Sequence, residues 1–159
     1  QEKVRYFIMA IIDYLGIENA IKNLLDNDSR TNSFGGKTTT VDVEGEFMLN
    51  EVKCPYIAIF LDAYETLEDT TTIGGSTPYL TSLRIQIWCY DFSLENLPGA
   101  TNRDTMLGAV KEVLKENKTL SNNVLYFKFG GGEFDNQKNT AGLGFFKGVS
   151  LTIDCEVKE

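Results

Sequence analysis

The sequence predicts an α+β fold: an antiparallel or mixed β-sheet flanked by two main helices, with long loop or hairpin extensions. Three observations lead there. Apolar residues recur at a period of about 3.6 in two segments, one near the start of the chain and one after Pro98. Other segments either alternate apolar and polar residues or run apolar over strand length. The resulting order is helix, strand, strand, strand, helix, strand, strand. Strands that cluster, with helices at their margins, belong to α+β domains rather than to β-α-β repeats.

In the first helix, Val4, Phe7, Ile8, Ile11, Ile12, Leu15, Ile21, Leu24 and Leu25 form an amphipathic stripe, with Gly16 placed to bend or split it. The polar run "DNDSRTNSFGG" ends the periodicity and leads to a strand expected over Thr38–Leu49, where Val41 and Val43 alternate with Asp42 and Glu44. After Cys54-Pro55, "YIAIFL" (Tyr56–Leu61) is a short apolar run suited to a central strand. In "TPYLTSLRIQIWCYDF", Leu83, Ile85, Ile87 and Cys89 fall on one face, and Arg84, Gln86, Trp88 and Tyr90 on the other. The second helix is expected to be capped by Thr101 or Asn102, with Met106, Leu107, Val110, Val113 and Leu114 as its apolar stripe. Val124–Phe129 is a strand of mixed burial. The closing strand points Val149, Leu151, Ile153, Cys155 and Val157 inward, and Ser150, Thr152, Asp154 and Glu156 outward.

With 159 residues, of which 42% are hydrophobic, the chain fits one domain, residues 1–159, that folds without metal or disulfide staples. The net charge of −8 and basic residues scattered singly argue against a broad phosphate-binding face. The sequence contains no histidine, which removes the usual general base, the usual zinc ligand and every Ser-His or Cys-His nucleophile. Cys54, Cys89 and Cys155 lie in or beside expected strands without Cys-x-x-Cys spacing, and read as buried thiols. No apolar run approaches the roughly 20 residues that cross a bilayer, and no basic leader is visible. The expectation is a soluble protein, made in the cytoplasm, with no membrane partner.

Two motifs resemble ligand sites and fail on chemistry. "SFGGKTTT" ends like a phosphate-binding loop, yet Thr31 stands where its first glycine is needed, and strand residues rather than a helix follow Lys37. A Gly-Gly turn opening a strand is expected instead. "DND" at Asp26–Asp28 opens like a calcium loop, but Arg30 and Thr31 occupy the positions where the third oxygen ligand and the glycine belong. No catalytic, cofactor-binding or metal-binding residue is assigned.

Two segments are too long for simple connections: Asp62–Thr81 and Gly130–Gly148. The first holds Leu67, Ile73, Tyr79 and Leu80; the second holds Phe134, Leu143, Phe145 and Phe146. Apolar groups on long loops either fold back on their own domain or meet another subunit. The expected subunit contacts are Leu67, Ile73, Tyr79 and Leu80 on one side and Phe145 and Phe146 on the other. Glu65, Glu68 and Asp69 would then face a channel or solvent.

The layout resembles that of the tail terminator (tail completion) proteins of long-tailed bacteriophages. The resemblance is carried by the helix "VRYFIMAIIDYLGI", the Pro-led strand "CPYIAIFLDAYE", the strand "SLRIQIWCYDF", the helix "DTMLGAVKEVL" and the closing strand "GVSLTIDCEV". It implies a non-enzymatic virion subunit that forms a hexameric ring on the tail tube. Such a ring stops tube polymerisation, presents a surface to the head-neck connector protein and leaves a central channel for DNA. The implied partners are thus other copies of the chain, the tail tube protein and the connector, and the implied location is the tail of the virion. Two alternatives stay open: a neck or tail-tube subunit of similar fold, and a small-ligand-binding module that uses the "FGGGEF" loop as an anion nest.

Overall fold

The computed structural model describes residues 12–45, 49–67 and 80–158. It is an α+β fold, with two helices and a mixed, largely antiparallel sheet among those residues. Helix α1 spans Tyr14–Asn27 and begins where the Asp13 side chain accepts a hydrogen bond from Gly16 N (2.9 Å). It buries Ile17, Ala20, Ile21 and Leu25. Leu15, expected on that stripe, is 54% exposed. At about 100° per residue, Leu15 stands roughly 200° around the helix from Ile17. The earlier part of the expected helix, Val4–Ile11, lies outside the described residues.

Strands β1 (Ser33–Phe34) and β2 (Lys37–Thr38) form a small hairpin. Its two-residue loop is Gly35-Gly36, with φ of +60° and +79°. Positive φ at both loop positions suits the twist of a tight hairpin and favours glycine. Strand β3 covers Thr40–Val43 and pairs in parallel with β4, Tyr56–Leu67. It is shorter than the expected Thr38–Leu49, because the chain turns out of the ladder at Glu44, where φ is +52°.

The two long segments take the hairpin form that the sequence left open beside the loop. Strand β4 continues through "DAYETL" to Leu67, and β5 runs from Leu80 to Ser93. They pair antiparallel from Tyr56↔Tyr90 to Leu67↔Leu80, with one irregularity between Leu61 and Ala63. The described parts of Asp62–Thr81, residues 62–67 and 80–81, are therefore paired strand, and residues 68–79 lie outside the described residues. Likewise, β7 (Phe134–Lys138) and the start of β8 (Phe145–Lys158) occupy about half of Gly130–Gly148. Ladder pairing against β5 outweighs the loop-like glycine and asparagine content of that stretch.

Helix α2 spans Asn96–Lys115, starting five residues before Thr101. Pro98 sits in its first turn, where a missing N–H costs nothing. Asn102, expected as a cap, instead donates to Asp91 Oδ2 (2.7 Å) and ties the helix to β5. Strand β6, Tyr126–Phe129, and β7 both pair with the same side of β8. The sheet order is β3-β4-β5-β8-β6, with β7 following β6 along β8.

Both helices cover one sheet face. Ile17, Ile21 and Leu25 of α1 and Met106, Val110, Val113 and Leu114 of α2 pack with Ile57, Ile59, Leu83, Ile85, Ile87, Cys89, Leu151, Ile153 and Cys155. The inward sets expected for β5 and β8 are thus both correct. The opposite face is not simply solvated, however. Cys54, Tyr56, Ala58, Tyr90 and Phe146 are buried there, with Leu49, Phe60, Trp88 and Phe92 packed against them. Tyr90, expected to point outward, is 1% exposed.

Candidate assembly surfaces

The sheet leaves two edges open among the described residues. On one side, β3 stops early: Glu44 N donates to Ile59 O (3.1 Å), and Leu61 N donates to Glu44 Oε1 (2.9 Å). Beyond that point the outer side of β4 has no strand partner among the described residues. Tyr64 lies on this stretch, 70% exposed, with its ring centroid 6.4 Å from that of Tyr14. On the other side, β6 and β7 pair only with β8, so their outer edge is also open. Unpaired ladder groups on an edge strand favour pairing with another chain.

The residues expected to mediate assembly fall in three classes. Leu80 is half-buried at the start of β5, and Glu65 is exposed on β4. Leu67 ends β4. Ile73, Tyr79, Glu68 and Asp69 lie outside the described residues. Phe145 is half-buried, but Phe146 is a correction. It is 5% exposed, packed 5.3 Å from Phe92 ring to ring, and belongs to the core of its own chain. Strand alternation explains the difference, since neighbouring residues of β8 point to opposite faces.

The exposed apolar groups at this end of the sheet are others. Leu143 at the β7–β8 turn is 82% exposed and Leu94 after β5 is 69% exposed. Both line a groove of about 670 Å³ with Leu49 and Phe146. The same two leucines border a second groove, of about 510 Å³, beside Phe145. Phe134 is 67% exposed, with the Arg103 guanidinium 4.8 Å from its ring centroid. Leu143 and Phe134 were legible as exposed apolar positions. Leu94 was not, because it reads as part of the turn before α2.

The outward face also bears an acidic groove of about 400 Å³ over the glycine run between β6 and β7. Asp62, Glu133 and Asp154 line it, with Arg84 as the one basic residue. Arg84 Nε donates to Asp154 Oδ1 at 3.1 Å. This groove does not form an anion nest. A nest alternates right- and left-handed residues, and none of Gly130, Gly131 and Gly132 has a positive φ. Their backbone is partly spent on the ladder: Gly130 N donates to Thr152 O (2.7 Å) and Gly131 O accepts from Thr152 N (3.1 Å). The surrounding carboxylates would repel an anion as well.

The chemical motifs resolve in the same direction. Lys37 and Thr38 are exposed in β2, with no helix following the glycine pair. Asp26 pairs with Lys22 (2.7 Å) and Asp28 with Arg30 (2.8 Å), so the "DND" acids face cations of their own chain. Cys54, Cys89 and Cys155 are free and buried, and burial pushes each thiol up to about 12. A thiol held protonated is a poor nucleophile and a poor metal ligand. Among the described residues, no three His, Cys, Asp or Glu side chains gather into a metal site, and no helix is long and apolar enough to cross a membrane. No protein-family model matches the chain, and a comparison with curated proteins finds no match.

Proposed function

We propose that the chain is a non-enzymatic structural subunit of a bacteriophage tail, a terminator that assembles into a ring and caps the tail tube. The observation that supports this reading is the pair of sheet edges left open among the described residues, β4 beyond Glu44 and β6–β7, on opposite sides of one sheet. Two different patches on one protomer support head-to-tail contact, and such contacts close into rings when the rotation allows. The exposed Leu94 and Leu143 beside the second edge would add apolar contact to backbone pairing.

In this reading the ring is a hexamer, docked to the tail tube protein on one face and to the head-neck connector on the other. The outward acidic groove, with Asp62, Glu133 and Asp154, and the exposed Glu65 would line a channel through which DNA passes without binding. Acidic walls repel phosphate and leave no counterion-release gain to hold it. A neck or tail-tube subunit of similar fold is the second reading, since open edges serve those rings equally.

Light scattering on the purified chain, alone and with tube protein, tests the assignment. A ring-sized mass that forms on the chain or at tube ends supports it. A monomer under both conditions, at every concentration, contradicts it.

A further inference from the structure

Glu18 is the most unusual side chain of the helical layer. It sits on α1 at 1% exposure, and both carboxyl oxygens are buried without a hydrogen-bond donor among the described residues. The carboxyl within its hydrogen-bonding reach is that of Glu44. Glu44 is itself held tightly, in a left-handed conformation with φ of +52°, with its N–H on Ile59 O and its Oε1 accepting from Leu61 N at 2.9 Å. Two ionised carboxylates offer only acceptors to each other. Glu44 is exposed, but a carboxyl buried as Glu18 is, within reach of a second carboxylate, needs a proton or a cation between the two.

Among the described residues, the charged groups of the packed elements do not supply a cation. On α1, Lys22 is spent on Asp26 (2.7 Å) and Val41 O (3.0 Å), and Asp13 caps the helix. On β3, Asp42 pairs with Lys53 at 3.6 Å. The charged residues of β4 facing outward, Asp62 and Glu65, are acidic. On α2, Glu112 and Glu116 meet Arg30, at the far end of α1. Lys111 and Lys115 line a separate hollow with Lys118 and Phe129.

We propose that Glu18 is protonated in the folded protein and donates that proton to Glu44, so that one shared proton fastens α1 to the end of β3 and the base of the β4–β5 arm. Burial, then the hydrogen bond and negative charge of Glu44, push the Glu18 carboxyl up to about 8 from its ordinary 4.5. The folded state then holds a proton that the unfolded chain has lost between these two values. Stability from the latch is complete below about pH 4.5, declines as pH rises through the window and is gone above about pH 8. The device does not depend on ring assembly.

The test is a side-chain carboxyl titration by carbon-13 NMR, together with melting curves from pH 5 to pH 9 for the wild type, Glu18→Gln and Glu44→Gln. The expected results are a Glu18 midpoint near 8 and a melting temperature that falls toward alkaline pH in the wild type. The fall should vanish in Glu18→Gln, which leaves no buried carboxyl to titrate, and be smaller in Glu44→Gln, where burial of Glu18 remains but the negative charge of Glu44 is gone. An ordinary Glu18 midpoint near 4.5 overturns the proposal, whether or not the variants fold. So does a melting temperature restored at alkaline pH by millimolar calcium or manganese, which would make the pair a cation site.

Discussion

The phenol of Tyr90 crosses Gly148 to reach Asp135, donating to its Oδ2 at 2.7 Å. The three residues form one row across the sheet, Tyr90 opposite Gly148 on β8 and Gly148 opposite Asp135 on β7. The ring lies where a side chain on residue 148 would stand: a Cβ built there overlaps Cε1 of Tyr90. Burial and the Asp135 carboxylate both raise the phenol's pKa, so the hydroxyl stays a donor at alkaline pH. This row fixes the β7–β8 hairpin, which carries Leu143, to the central strand.

Gly148→Ala should therefore destabilise the fold by about 3 kcal/mol, as overpacking in a closed site does. Tyr90→Phe should cost less, about 1–2 kcal/mol, since it removes one charge-assisted bond and Asp135 keeps its contact with Gln137 (2.7 Å). Urea denaturation of the two variants checks the order. Equal and negligible losses would mean that the hairpin is held by other contacts.

Ile153 and Thr152 test the facing of β8. Ile153 is fully buried, while Thr152 is half-buried toward the acidic groove. Ile153→Asp should unfold the chain, with a loss on the order of 4 kcal/mol or more. Thr152→Asp should cost roughly 1 kcal/mol or less, adding one charge to a partly solvated face. Thermal melts followed by circular dichroism give the comparison, and the reverse order would contradict the structure.

Adding ATP and magnesium should leave the melting temperature unchanged, because Gly35 and Gly36 form a hairpin turn and no helix N-terminus stands behind Lys37. A rise of several degrees in a thermal-shift assay would show a nucleotide site that this geometry does not provide.

The buried alternation of β5 and β8 and the apolar stripe of α2 were legible because period-2 and period-3.6 patterns survive any tertiary context that buries one face. What failed was the reading of glycine and threonine. Gly148 looked like the end of a loop, whereas it is a mid-strand gap that Tyr90 fills. Thr66 and Tyr64 extend β4 because pairing with Thr81 and Leu83 decides their conformation. The second core around Tyr56 and Tyr90 had a signal: Tyr56, Ala58 and Phe60 alternate with Ile57 and Ile59, so the strand is apolar on both faces. Of the assembly residues, Phe146 was misplaced by one position of alternation, and Leu94 carries no local pattern that separates it from a turn. The Glu18–Glu44 contact joins a helix to a strand end 26 residues away in sequence (44 minus 18), which no local periodicity encodes.

Assembly through the β6–β7 edge and its flanking leucines is the central claim. The direct measurement is electron microscopy of tails assembled with the double variant Leu94→Glu, Leu143→Glu. Both side chains are mostly exposed, so the variant should fold and melt like the wild type. The account predicts that it forms no ring and leaves tails overlong and without heads. Tails of normal length joined to heads, made with a folded double variant, would contradict it.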